Sequence, residues 1–327
     1  MNTKLNTKLL VIILVLVIAI PIIPVGCQEQ EELPVTSPAT KALSSTLVPN
    51  MELDVYIYIK QDNPTTLPAA IINAPLDVDV ESLAIWGVHA EGDLTFGAGL
   101  TLTSNSDAAK VYTQIPSSEV IWTALSGNTI YAVQGSGTAA ELLKAVISNH
   151  DFKYYDDSEA LKALAKLPTG STTKLAGLVV AKPSKELISY ITKDSDTESL
   201  RMVNMILNMA GLEVIAGGLY SPRQIDVAEI ADAMKSNGSI LNLDLGILIL
   251  AKSGLPGFVM EPIVKKVLTE SEFTERILGE FTLYQLSLAT DGGQAVPVLV
   301  RIEGNHVFAA ISGQESYTET LITGVNQ

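Results

Sequence analysis

The sequence predicts an α+β protein, mainly antiparallel sheets with helices packed on one face. Three observations predict it. Short stretches rich in β-branched and aromatic residues recur, such as LDVYIYIK from Leu53, KLAGLVVAK from Lys174 and HVFAAIS from His306, and such runs read as strands. Tight turn signals at Gly127-Asn128, Asp291-Gly292-Gly293 and Glu303-Gly304-Asn305 join successive runs, and only antiparallel neighbours can be joined so closely. Hydrophobic residues make up 47% of the chain but aromatic ones only 6%, so the interior is to be built from Leu, Ile, Val and Ala.

Taken in order, a strand begins near Leu53, followed by strands over Leu83–His89 and Leu94–Thr103 and a helix over Asp107–Gln114. A hairpin comes next, EVIWTALS turning at Gly127-Asn128 into TIYAVQ, and then an amphipathic helix from Thr138 to Ser148. Asp156 and Glu159 have the spacing of a capping box for a helix that stops before Pro168. The second half opens with the Lys174 strand and continues with a Pro183-initiated helix, the helix TESLRMVNMILNMAG, the strand EVIAGGLY, a helix over Ile225–Lys235 and the strand ILNLDLGILIL. A helix across Pro256–Leu268 leads into a meander of FTLYQLSLA, AVPVLVRI and HVFAAIS, and a last helix runs into Val325.

Two stretches match each other. LSGNTIYAVQGSGTAAELLKAVI and IEGNHVFAAISGQESYTETLITGV share the Gly-Asn turn, the apolar strand and the closing helix. The expectation is an internal duplication of a strand-helix-strand-strand-helix unit, with a first half over 51–168 and a second over 169–327.

The amino terminus has a different character. Lys4 and Lys8 precede an unbroken apolar run from Leu9 to Val25, and Gly26 stands directly before Cys27, the single cysteine. A basic start, an apolar middle and a small residue before a cleavage point form an export signal. In these residues the chain resembles a bacterial lipoprotein. That resemblance implies cleavage after residue 26 and acylation of Cys27, making it the lipid attachment site; the family usually has leucine three residues before the cysteine, where this chain has Pro24. The other reading keeps residues 1–26 as an uncleaved membrane helix, although Leu9–Val25 falls just short of the roughly 20 apolar residues that span a bilayer. Both readings tether the chain to the cell membrane with the remainder outside the cytoplasm, because lysines stay on the inner side. Residues 27–50, with mixed acids, Ser, Thr and prolines, read as a flexible linker. The folded part loosely resembles exported bacterial proteins of no known activity that repeat units of this kind.

The formal net charge of −15, from 21 Lys+Arg against 36 Asp+Glu, disfavours nucleic acid and anionic headgroups as partners. One cysteine excludes an intrachain disulfide. Gly135, Gly137 and Ala140 have the G-x-G-x-x-[GA] spacing of a dinucleotide loop, but the strand before them is the second arm of a hairpin, so a turn is expected and no cofactor. Ser171 to Lys174 with Lys252-Ser253-Gly254 imitates a serine-acylating pair, yet Ser171 leads into a strand. His89, His150 and His306 stand apart at loops and strand ends with no metal-ligand spacing. The acidic runs Asp77–Glu81 and Asp194–Glu198 are expected to precede or open helices. Met202, Met205 and Met209 share a helix face suited to core filling or to an adaptable apolar pocket. No catalytic, cofactor-binding or metal residue is therefore expected, and the function read from sequence is non-enzymatic binding or structure at the cell envelope, with an envelope protein or the membrane itself as partner. The alternatives are a carrier or sensor of an apolar ligand and an extracytoplasmic hydrolase.

Overall fold

The structure is a computed structural model that describes residues 37–67, 78–115, 121–168, 174–184, 187, 212–222, 245–270, 272–289 and 295–325. Its strands are β1 (Leu47–Pro49), β2 (Leu53–Leu67), β3 (Val78–Ala90), β4 (Asp93–Leu102), β5 (Ile121–Ser126), β6 (Thr129–Gln134), β7 (Phe152–Tyr154), β8 (Lys174–Ala181), β9 (Leu212–Ser221), β10 (Gly246–Ser253), β11 (Thr274–Leu278), β12 (Phe281–Ala289), β13 (Ala295–Glu303) and β14 (His306–Ser312). The helices are α1 (Pro38–Ser44), α2 (Asn105–Tyr112), α3 (Thr138–Ser148), α4 (Ser158–Ala165), α5 (Gly257–Glu270) and α6 (Glu315–Thr323).

Twelve described strands form one sheet in the order β11-β12-β13-β14-β10-β9-β8-β2-β3-β4-β6-β5, and β1 pairs with β7 in a second, small sheet. Every described pairing is antiparallel, as the tight turns require. The α+β class read from the sequence holds. The halves divided at 168 are not separate bodies, because β2 pairs with β8 across that boundary and one hydrophobic core draws on both.

Outward from the β2·β8 pair, the strands run β2-β3-β4-β6-β5 on one side and β8-β9-β10-β14-β13 on the other, where β12 and β11 extend the sheet further. The two Gly-Asn turns occupy corresponding places in this order. Gly127 and Gly304 adopt φ of 59° and 56°, the left-handed geometry that a two-residue type II′ hairpin demands at its first position. The amide side chain of Asn128 donates to the Leu102 carbonyl at 2.6 Å, and that of Asn305 to the Ser253 carbonyl at 3.0 Å. Leu102 ends β4 and Ser253 ends β10, so each asparagine ties its hairpin to the last residue of the neighbouring strand.

The helices lie on both faces. α1, α3, α4 and α6 cover the face that carries Tyr56, Trp86, Leu248 and Phe308. α2 packs on Leu100, Leu102 and Ile130, and α5 on Val298, Val307 and Ile311, which point the other way. The single helical layer expected from the sequence thus holds for four of the six described helices. Close approach of helix to sheet depends on glycine: a Cβ at Gly97 would stand 2.7 Å from Leu143 of α3, and one at Gly246 2.4 Å from Leu321 of α6.

The linker expected over 27–50 is corrected by α1 and β1. Ser37 caps α1, its hydroxyl accepting from the Thr40 amide at 3.2 Å, and Pro38 presets the first turn. Leu43 is fully buried in the main core, and Thr46 accepts from the buried Tyr56 hydroxyl at 2.9 Å. Prolines and serines that read as linker composition are here a cap and a helix start. The capping residue of α4 also differs from expectation: Asp157, not Asp156, accepts from the amides of Glu159 and Ala160, both at 3.1 Å. β3 takes in Asp79 and Glu81, so the described part of the first acidic run belongs to a strand and opens no helix. β7 and β11 were not foreseen, being short and, in β11, heavily charged.

Replacing Asn128 or Asn305 by alanine removes one carbonyl-directed hydrogen bond from a part-buried turn and is expected to cost about 1 kcal/mol each. The two costs should add in the double variant, because the turns are far apart in the sheet order. Urea denaturation of the single and double variants checks this.

Candidate functional site

The glycine loop is the sharpest motif in the sequence, and the structure shows what fills it. β6 lies between β4 and β5 and is antiparallel to both, so no parallel crossover leaves it. Gly135 turns the chain at φ 90°, and Gly137 is the N-cap of α3 without a side chain to cap with. Asp93, from the start of β4, supplies the missing acceptor: its Oδ2 receives the Ala139 amide at 3.3 Å. A Cβ on Gly137 would lie 1.9 Å from that carboxylate oxygen. The helix terminus that would hold a phosphate holds the protein's own carboxylate, which meets the same dipole and the same orphan amides. Lys144 closes the loop from the other side by donating to the Gly135 carbonyl at 3.1 Å.

The three histidines are kept apart. His150 follows α3 at φ 54° and is exposed. His89 Nδ1 lies 2.7 Å from Oδ2 of Asp54, which is 2% exposed. The register of β2 on β3 shifts between Leu53, which pairs with Val88, and Val55, which pairs with Gly87; Asp54 stands at this bulge, where its carbonyl accepts from the Lys182 amide at 2.7 Å. A carboxylate so placed orients the ring, as in many acid–base pairs. Among the described residues no serine hydroxyl is hydrogen-bonded to His89, and no group of three or more metal-ligating side chains occurs among them.

His306 sits at the hairpin end of β14, is 8% exposed and stacks on Phe308. Burial, with Lys166 and Lys252 nearby, pushes its pKa down from 6.5 to about 4. Lys252 is also the head of the Lys-Ser-Gly run. Its ammonium contacts Glu159 of α4 and lies 3.2 Å from Glu213 of β9. Against the cost of burial, these hydrogen bonds raise its pKa, and they lower that of Glu159. The Ser253 hydroxyl accepts from the Leu255 amide at 3.0 Å and caps the turn after β10. Both residues are thereby committed to structure. Ser171, the run Asp194–Glu198 and Met202, Met205 and Met209 lie outside the described residues, as does Cys27.

Another candidate surface is apolar. Ala98, Ile85, Ile57, Val179, Gly217 and Ile249 stand in register across β4, β3, β2, β8, β9 and β10, and directly opposed residues share a face. Parallel rows run beside this one, from Phe96 through Val55 to Ile215 and from Leu100 through Ile59 to Ile247. Their large side chains are only half-buried. On the other face, the row through Trp86, Tyr56, Val180, Ala216 and Leu250 is no more than 3% exposed at any position. His89, two residues past Gly87 on β3, stands at the rim of the half-buried face. Neither the rows nor the bulge is visible in the sequence, because both depend on register between distant strands.

Two grooves are lined by described residues. One of about 170 Å³ is lined by Pro222, Gln314, Tyr317 and Thr320. The other, about 370 Å³, holds Glu261, Lys265, Glu280, Arg301 and Glu303, but its cations are already engaged. Arg301 is 2.6 Å from Glu303 and lies over the Phe281 ring at 4.0 Å, and Lys265 is 2.8 Å from Glu261. No described helix is long and apolar enough to cross a membrane.

No protein-family model matches the chain, and no curated protein matches it. Two crystal structures of TP0453 are similar to it. Crystal form IV has a TM-score of 0.37 and 12% identity, covering 87% of this chain and 99% of that one. Crystal form III has a TM-score of 0.37 and 10% identity, covering 89% and 99%. A likeness of that size says nothing of activity.

Two outcomes follow from these contacts. Gly137→Ala must displace the Asp93 carboxylate and is expected to cost about 1–3 kcal/mol, whereas Asp93→Ala, which only removes the cap, should cost about 1 kcal/mol; thermal unfolding of both variants measures the difference. His306 is held neutral, so the stability it contributes is complete above pH 6.5 and is lost as the pH falls toward 4. The loss should reach about 3 kcal/mol, and His306→Gln should flatten that part of a pH–stability profile obtained by denaturant titration.

Proposed function

We propose that this protein is an extracytoplasmic lipoprotein, anchored to the membrane through acylated Cys27, whose folded part has a non-enzymatic binding or structural role. The observation that carries the reading is the export signal ending at Gly26-Cys27, with a folded unit that begins as soon afterwards as Ser37. The engaged state of the candidate chemical groups supports a binding role over a catalytic one: Asp93 occupies the glycine loop, and Lys252 and Ser253 are held in pairs and caps. The matching Gly-Asn turns and the matching strand order support descent of both halves from one duplicated unit.

One observation favours a second reading, a carrier or sensor of an apolar ligand. Three in-register rows of apolar side chains remain half-buried on a sheet whose other face buries Trp86, Tyr56, Val180, Ala216 and Leu250, and a half-exposed apolar face of that extent suits an acyl chain or similar ligand.

Mass spectrometry of the full chain from a bacterial membrane tests both. The expected result is a mature chain starting at Cys27 with added acyl mass, and its absence, with residues 1–26 retained, would replace the anchor by an uncleaved helix. A lipid-sized mass retained under native conditions would favour the carrier, and a clean apo spectrum from the native host would remove it.

A further inference from the structure

We infer that β5 is the strand through which two copies of this chain join, antiparallel about a two-fold axis at Thr123, into one continuous sheet. Among the described residues β5 ends the twelve-stranded sheet, with β6 as its one neighbour. The outer edge of such a strand holds backbone groups that a further strand can pair.

Which groups face outward follows from the hairpin. Its two-residue turn makes Ser126 and Thr129 the closing hydrogen-bonded pair, and bonded pairs alternate along an antiparallel ladder. Trp122 and Ala124 therefore bond to β6, whereas Ile121, Thr123 and Leu125 direct N–H and C=O away from it. The Thr123 carbonyl agrees with this: it accepts from the Tyr112 hydroxyl of α2 at 3.4 Å, a long contact to one of its two lone pairs.

The two ends of the sheet are unlike. β11 carries Glu275 and Arg276, and Arg276 is committed to Glu315 and Glu319 of α6. β5 reads IWTALS, without a charge, a proline or a glycine, and so lacks the residues that keep edges apart. Its outermost side chain, Ile121, is 47% exposed.

A second β5 is the strand that fits this edge. Outward-directed groups must meet outward-directed groups, and the register that pairs most of them sets Ile121 against Leu125 of the second copy and Thr123 against Thr123. Each of these pairs exchanges both of its backbone hydrogen bonds. Trp122 then lies beside Ala124 of the other copy, a large residue against a small one, and the two Thr123 hydroxyls form a favourable cross-strand pair. Opposed residues share a face, so the axis is perpendicular to the sheet and the helical layers of each copy continue on the same sides. Such a contact is complete with two copies, whereas β5 on β11 would leave free edges and propagate.

Sedimentation equilibrium of the full chain in density-matched detergent tests the inference, and the expected mass is that of two chains. Thr123→Lys and Thr123→Glu each set like charges against one another on the axis. Each alone is expected to sediment as a single chain, and the two mixed in equal amounts as a dimer again. Thr123→Pro, which removes an outward N–H and spares the β5–β6 ladder, should also sediment as a single chain, with circular dichroism reporting the fold of every variant. An unaltered chain that stays monomeric across the micromolar range, a dimer that survives in every folded variant, or a lysine–glutamate mixture that remains monomeric would overturn the inference. A mass that is not a whole number of chains would assign the edge to another partner and overturn it too.

Discussion

The pairing of β2 with β8 is the constraint on which the rest depends. It joins two runs of strands into one sheet, and at its centre Tyr56 opposes Val180 in a row that continues through Trp86 on one side and Ala216, Leu250 and Phe308 on the other. Tyr56 is also the point where the outer layers converge. Its ring stacks on Tyr155 at 5.5 Å and its hydroxyl reaches Thr46, so the segment after α1, the segment after β7 and the sheet share one buried contact. Without that pair each half would present an open edge about which water and other chains compete for the same backbone groups.

Much of this architecture is legible in the sequence where local chemistry decides it. α3 has the limits read from its periodicity, since Gly137 before it and Asn149 after it are local signals. The Gly-Asn turns read correctly because φ near +60° leaves few residues to choose from. Misreadings arise where tertiary contacts decide. Ser37-Pro38 is linker composition until Leu43 finds the core, and Asp79-Val80-Glu81 reads as a helix start until β3 pairs across it with β4. TERIL gives no strand signal, yet β12 pairs with all of it, and Arg276 holds Glu315 and Glu319 of α6 from that edge.

The candidate sites divide in the same way. A motif can be read, but its occupant cannot: the glycine spacing is real, and the carboxylate that fills it comes from Asp93, a residue 46 positions away. The Asp54–His89 pair and the apolar rows leave no trace in the sequence, because a bulge and a six-strand register produce them. The export signal expected in residues 1–26 is the opposite case, a reading that rests on order and composition alone. The apolar rows, by contrast, form only through long-range pairing.

The position of β2 within the chain has a consequence for assembly. Its partner β3 lies nearby in sequence, while residues 55–59 find their second neighbour at 177–181. A chain that emerges amino terminus first completes β2 to β6 and must keep one side of β2 unpaired until β8 arrives. During that interval Tyr56 has only half of its row, and the unfinished edge runs beside the hydrophobic face later covered from both directions. Folding in this protein is therefore a matter of waiting as well as packing, and whatever protects β2 in the interval governs yield rather than final stability.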